Sequence, residues 1–305
     1  MVTLHEVLKH AESEGVAIGH FNVSDWVTLK AVFESASDRN VPVIVGVSES
    51  ERQFLGVRQI AAMVTSLREE YDFPIFLNAD HSHSLASAME AAKAGFDSIV
   101  FDASALPLEE NIRQTRTAVD TIKAIRPEIL VEGELGDIGS GFEIHDTARD
   151  LRLTTSVEAR QFVEETKIDI LAPAVGNMHG MLMRMVTGDT KKRLDIERIR
   201  TIKEQTRVFM TLHGASGTDD GDLRSAIAAG ITVVHINTEV RIAWRHGLDS
   251  ALSTQPNEIV PYKILPQVID SVKERVAARL ALFSNGRLAS GPSASTSMGF
   301  LQAQR

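Results

Sequence analysis

The chain has 305 residues, 43% hydrophobic and 24% charged, the balance of an ordered globular protein rather than a disordered one. Its formal charge of −9 comes without any basic block, which turns the reading away from nucleic acid and anionic membranes as partners. A small anionic substrate stays compatible, because one arginine and a few backbone N–H groups can hold a phosphate locally.

Cysteine is absent, so disulfides, thiolate ligands and thiol nucleophiles are excluded. No apolar targeting segment opens the chain, and no run approaches the roughly 18 apolar residues that a membrane span requires. Cytoplasmic location is the expectation.

A helical pattern over 3–13 comes first, and short β-branched runs then alternate with longer helical stretches. The expected strands are Val16–Val23, Val41–Ser48, Pro74–Asp80, Asp97–Asp102, Ile129–Leu135, Ile168–Val175, Val208–His213 and Thr232–Asn237. The expected helices between and after them are Trp26–Asp38, Gly56–Glu70, Leu85–Lys93, Leu108–Ile125, Ser156–Glu165, Asp195–Glu204, Asp220–Ala229 and Thr238–Leu252. Eight strand–helix repeats have one obvious closed solution, an α/β TIM (β/α)8 barrel formed as a single domain over 1–286. An open doubly wound sheet is the alternative, disfavoured because no Gly-rich dinucleotide turn follows the first strand. Residues 136–152 and 176–194 form two long connections, the first of a kind that orders over substrates. A last helix from Leu265 to about Phe283 is expected to close the barrel or to pack on a partner subunit. Residues 287–305 have the Ser/Gly/Ala-rich composition of a flexible tail.

Nearly every expected strand ends in a polar residue: Asn22, Ser48, Asp80, Asp102, Glu134, His213 and Asn237. In a barrel these ends converge on one face, where chemistry sits. His81 follows the third strand, His179 the sixth, and His213 ends the seventh. Three imidazoles so placed can bind a Zn²⁺-like ion and leave one position open for substrate. His20, His83 and His235 are the runner-up ligands, expected behind the three or in packing, with a local ligand swap as the alternative and His235 out of phase with the polar end Asn237. Asp102 and Glu134 are candidates for a second cation position or for orienting the histidines.

With these segments assembled, the sequence resembles the class II metal-dependent ketose-bisphosphate aldolases, the fructose- and tagatose-bisphosphate enzymes. The resemblance rests on NADHSH at 78–83, IVFDAS at 99–104, VEGELGDIG at 131–139, AVGNMHG at 174–180, TLHGASG at 211–217 and HINTE at 235–239. It spans the barrel in order and with compatible spacing. It implies that His81, His179 and His213 hold Zn²⁺ or another divalent transition metal, and it admits a monovalent cation besides. It makes Asp80 the acid/base at the C4 hydroxyl, and Asp102 and Glu134 a second cation position. Gly180, Gly214 and Ser216 would cradle the C1 phosphate of a ketose, with Asn237 and Thr238 contributing and Asn22 and Ser48 as further substrate contacts. The implied reaction is reversible cleavage to dihydroxyacetone phosphate and an aldehyde by a homo-oligomer, at least a dimer. No lysine stands at an expected strand end, which argues separately against a Schiff-base mechanism.

Two departures bear on the substrate. Many relatives carry a lysine three residues after the glycine of the HG pair, where this chain has Met183, followed by Arg184. The acidic loop stretch of the fructose enzymes is replaced by GSGFEIHD, leaving Glu143, or less directly His145, as the proton-transfer candidate. Arg52 is a candidate contact for the far end of the substrate, and Arg241 and Arg245 are ambiguous. The alternatives are a metal-dependent lyase of another sugar phosphate or sugar acid, and a catalytically weakened sugar-phosphate-binding barrel.

Overall fold

In a computed structural model of the chain, residues 2–139, 144–145 and 152–284 are described. Eight parallel strands form, numbered here along the chain: β1 (Ile18–Asn22), β2 (Val43–Val47), β3 (Ile75–Ser82), β4 (Ser98–Phe101), β5 (Leu130–Leu135), β6 (Ile170–Pro173), β7 (Phe209–Leu212) and β8 (Val233–Ile236). Each pairs with its sequence neighbours, and β8 pairs with β1, so the sheet closes into a barrel. The strands are buried along nearly their whole length, which is why apolar runs form them.

Alternate residues of a strand face the same side, so each strand sends every second side chain into the barrel. The lowest inward layer is apolar: Ile18, Ile44, Phe76, Leu130, Ile170 and Val233 pack in one cluster with Leu4, Val7, Leu8 and Ala11. Those four come from the opening helix Leu4–Glu14, which plugs the N-terminal end of the barrel. A reciprocal capping box between Thr3 and Glu6 starts this helix, and Gly15 in the left-handed region (φ 63°) ends it. One step up, at i+2, the inward residues turn polar: His20, Asn78, Ser98, Glu132, Thr211 and His235, all buried. Another step reaches Asn22, Asp80, Glu134 and His213 at the C-terminal mouth. Gly46 lies in the middle layer because a Cβ there would meet the His20 ring at 2.0 Å.

The eight outer helices fall within a residue or two of their expected spans. The helix Glu49–Leu55 is additional; Ser48 caps it and Glu51 completes the box. The last helix, Pro266–Phe283, closes the outer layer between the first and last barrel helices. Lys273 pairs with Glu34 at 2.9 Å, Arg279 with Glu239 at 2.7 Å, and Ser271 Oγ donates to the Ala243 carbonyl at 2.8 Å. The connection over 176–194 contains a short strand, Met181–Leu182, paired with Ile144–His145, and the helical turn Met183–Val186. No helix among the described residues is long and apolar enough to cross a membrane.

Leu8 is fully buried in the barrel floor. Leu8→Ala is expected to lower the unfolding free energy by about 2–5 kcal/mol in urea titration. A loss under about 1 kcal/mol would mean that the floor closes without this helix.

Candidate metal centre

The centre begins with a local break in β3. Neighbouring strand residues normally point to opposite faces, yet Asp80 and His81 must both face the mouth. The register between β3 and β4 shifts between Ala79 and Ser82, and His81 takes φ 47°, a conformation uncommon outside glycine. This bulge turns both side chains inward.

Three imidazoles then meet. The ring centroids of His81 lie 4.8 Å from those of His179 and 4.9 Å from those of His213, and His81 Nε2 is 3.2 Å from His213 Nδ1. The opposite nitrogen of each ring is already engaged. His81 Nδ1 donates to Asp102 at 2.9 Å, His179 Nδ1 to the Gly139 carbonyl at 2.7 Å, and His213 Nε2 to Glu132 at 2.6 Å. Each of these bonds fixes a ring's orientation and turns its other nitrogen toward the shared point. Glu134 belongs to the same cluster of potential ligand atoms, and its buried Oε2 has no hydrogen-bond partner. Three converging ring nitrogens with one adjacent carboxylate oxygen fit a divalent transition metal, which would displace the proton on His81.

Electrostatics agree with that fit. Burial, with the charge of His81 behind it, pushes His179 and His213 down to about 3, so both are neutral. Burial opposes charge on His81 too, but Asp80, Asp102 and Glu134 outweigh it and raise His81 to about 10. Burial and the charge of Asp102 hold Glu134 well above the carboxylate range. The surroundings therefore favour one positive charge at the centre.

Asp80 stands beside the imidazoles. One of its oxygens accepts from Asn22 Nδ2 at 2.8 Å; the other has no hydrogen-bond partner and lies 3.6 Å from both His81 Nε2 and His235 Nδ1. Burial would raise its pKa, but His81 and His235 hold it well below the carboxylate range, so Asp80 is an ionised base. His20 and His235 stack beneath at 3.4 Å, and His235 stacks on His213 at 4.1 Å. His235 and Asn237 are two residues apart and share the inner face, so the out-of-phase expectation for His235 is corrected by the strand period.

Gly180, Gly214, Ser216, Asn237 and Thr238 line the same cavity as Asn22, Asp80 and the three imidazoles. Asn237 does not cap the 17-residue helix Thr238–Thr254 with its own side chain, whose two amide atoms lack partners, while Ser216 Oγ accepts from Asn237 N at 3.3 Å and Glu239 N at 3.5 Å. Gly214 (φ 57°) must be glycine, since a Cβ would sit 2.3 Å from the Met178 carbonyl oxygen.

Other expected residues lie elsewhere. Ser48 accepts from Glu51 N as a helix cap. Arg52 is 3% exposed and turned into the wall, donating to the carbonyls of Val47 and Asp80 and the hydroxyls of Ser82 and Ser87. Asp102 braces His81 rather than joining the ligand cluster. Arg241 pairs with Glu51 at 2.7 Å, and Arg245 with Asp249 at 2.9 Å on the surface. Glu143, the side chains of His145, Met183 and Arg184, and the segment 287–305 lie outside the described residues. Sequence reasoning missed Glu132 and Lys192. Glu132 was marked only by standing two residues before Glu134, on the same face. Lys192 carried no signal within its connection.

A closed parallel barrel with three oriented histidines and an ionised aspartate at its C-terminal mouth defines a metal-dependent barrel enzyme. The chain belongs to the class II fructose-bisphosphate aldolase family, described as "Fructose-bisphosphate aldolase class-II", which matches residues 2–287. The chemistry is that of a metal-dependent aldolase acting on a ketose phosphate. The chain is 32% identical to a "Probable fructose-bisphosphate aldolase" of Bacillus subtilis, over 95% of this chain and 99% of that one. It is 30% identical to a "Sulfofructosephosphate aldolase" of Alkalicoccus urumqiensis, over 88% and 93%. Among solved structures it resembles the YdjI aldolase of Escherichia coli K12, with TM-score 0.77, 28% identity, and 93% and 97% of the two chains covered.

Glu132→Gln keeps shape but weakens the brace on His213. Metal affinity should fall about 10–100-fold in a chelator-competition titration, with little change in melting temperature. Unchanged affinity would remove Glu132 from the metal centre.

Proposed function

We propose that the protein cleaves a ketose phosphate between C3 and C4, reversibly, to dihydroxyacetone phosphate and an aldehyde. The observation that carries this reading is the juxtaposition of ionised Asp80 with three imidazoles whose outward nitrogens are all engaged. His81, His179 and His213, with Glu134 adjacent, would hold Zn²⁺. When bound, the metal supplies Lewis acidity toward the substrate's C2 and C3 oxygens.

The chain's own groups do the rest. Asp80 takes the proton of the C4 hydroxyl while Asn22 fixes its other oxygen. The C3–C4 bond then breaks, C4 leaves as the aldehyde carbonyl, and the electron pair at C3 delocalises into the C2 carbonyl. A proton returned to C3 completes the triose phosphate, a step assigned to Glu143. Gly180, Gly214, Ser216, Asn237 and Thr238 seat the C1 phosphate, with support from the start of the helix Thr238–Thr254 at the cavity and from the partnerless Asn237 side-chain amide. Arg52 is committed to the wall, so it is not assigned to the far end of the substrate. The names of the relatives suggest that this end carries a phosphate or a sulfonate, and a homodimer or larger oligomer is the expected assembly.

Metal-loaded protein should release triose phosphate from at least one member of a panel of ketose monophosphates, bisphosphates and sulfonated ketose phosphates, and chelation should abolish it. Asp80→Asn should lower kcat by about 10²–10⁴-fold while metal stoichiometry is retained. Glu143→Ala should slow exchange of the C3 proton in the same assay. Cleavage of no member, or cleavage unaffected by chelation, would refute the reading.

A further inference from the structure

Lys192 is the one lysine on the connection after β6 whose amine is drawn inside; it is 4% exposed. Its Nζ donates to three backbone carbonyls: Met178 at 2.7 Å, Gly180 at 2.6 Å and Gly214 at 2.8 Å. These three bonds use every N–H of an ammonium, and a neutral amine has only two to give. Among the described residues no carboxylate pairs with it. Burial lowers the Lys192 pKa to about 7, while the charge of Glu239 favours the ammonium. Held by three carbonyls and within ion-pair distance of no described carboxylate, the ammonium keeps a positive field that an anion nearby would balance further.

The carbonyls belong to the two turns that line the proposed phosphate seat. Met178 and Gly180 flank His179, Gly214 follows His213, and the close approach of the turns at Gly214 brings the oxygens to one point. The Lys192 backbone ties in a third turn, its N donating to Gly217 O at 2.9 Å and its O accepting from Asp219 N at 3.2 Å. Converging backbone carbonyls are the donor type that replaces the hydration shell of a potassium ion. The lysine that the resemblance places at 183 is a methionine in this chain.

We infer that the Lys192 ammonium is a tethered monovalent cation: it holds the three turns of the phosphate seat together and gives that seat its positive potential, where a dissolved ion would otherwise be required. The inference rests on the phosphate location proposed above. Lys192 touches no reacting atom. It is a positioning residue, acting on the anion through backbone order and field, and it supplies from beneath the charge that position 183 lacks.

The test is calorimetric binding of inorganic phosphate to the metal-loaded protein at constant ionic strength. Tetramethylammonium, too bulky to enter the carbonyl cage, is compared with K⁺ and NH₄⁺ as the sole monovalent cation. The native protein should bind phosphate with the same Kd in all three. Lys192→Met should bind about tenfold or more weakly in tetramethylammonium, and recover most of that loss in K⁺ or NH₄⁺. If Lys192→Met does not fold, Lys192→Gln is read in the same way. Full affinity of the variant in tetramethylammonium, a loss that neither small ion restores, or a native affinity that itself depends on K⁺ would each overturn the inference. Because the readout is binding without turnover, a cation pattern as expected in a protein that cleaves no ketose phosphate would refute only the proposed reaction. Cleavage without that pattern would refute only the role of Lys192.

Discussion

Three histidine rings can aim at one point because the far nitrogen of each is already bonded, to Asp102, to the Gly139 carbonyl and to Glu132. Unbraced, the rings could turn to satisfy one another, and the buried polar layer would carry unpaired groups at a penalty of about 1–3 kcal/mol each. The bracing also aims the rings: His179 and His213 are neutral, so their inward nitrogens are lone-pair donors before any cation arrives, while His81 must give up its Nε2 proton when a cation binds. Much of the mouth follows from this: Glu132 is needed inside the barrel, Thr211 is needed to hold Glu132, and Gly139 must stay close to His179.

The barrel makes the arrangement affordable by layering. An apolar floor sealed by Leu4–Glu14 carries the packing, and polar side chains enter only above it, linked as His20–Asn78–Ser98 and Thr211–Glu132–His213. Such chains rigidify a site when every member is satisfied. Of the buried atoms without partners among the described residues, Asp80 Oδ1, Glu134 Oε2 and the Asn237 side-chain amide belong to the mouth of the barrel, where a metal or a substrate would complete them; His20 Nδ1 lies in the layer beneath, and Thr218 Oγ1 and Trp244 Nε1 lie outside the cavity.

The strand–helix alternation and the polar strand ends made the fold legible from the sequence, together with His81, His179, His213 and Asp80. Those signals are periodic, and the barrel converts strand end into shared location. Less was visible where geometry departs from the period. The bulge at His81 leaves no compositional trace beyond two adjacent polar residues. The in-phase relation of His235 and Asn237 was masked by the apolar residues around them. Sequence reasoning sets Arg52 at the far end of the substrate because the helix Glu49–Leu55, which turns it into the wall, leaves no long periodic signal. The inward turn of Lys192 depends on carbonyls brought together by distant segments.

The most direct test of the centre is a crystal structure of the metal-loaded protein with anomalous scattering recorded at the metal edge. One strong peak should lie about 2.0–2.1 Å from His81 Nε2, His179 Nε2 and His213 Nδ1, with the bonds to Asp102, Gly139 and Glu132 intact. A peak among His20, Asp80 and His235 instead, or rings turned away from their braces, would contradict the account.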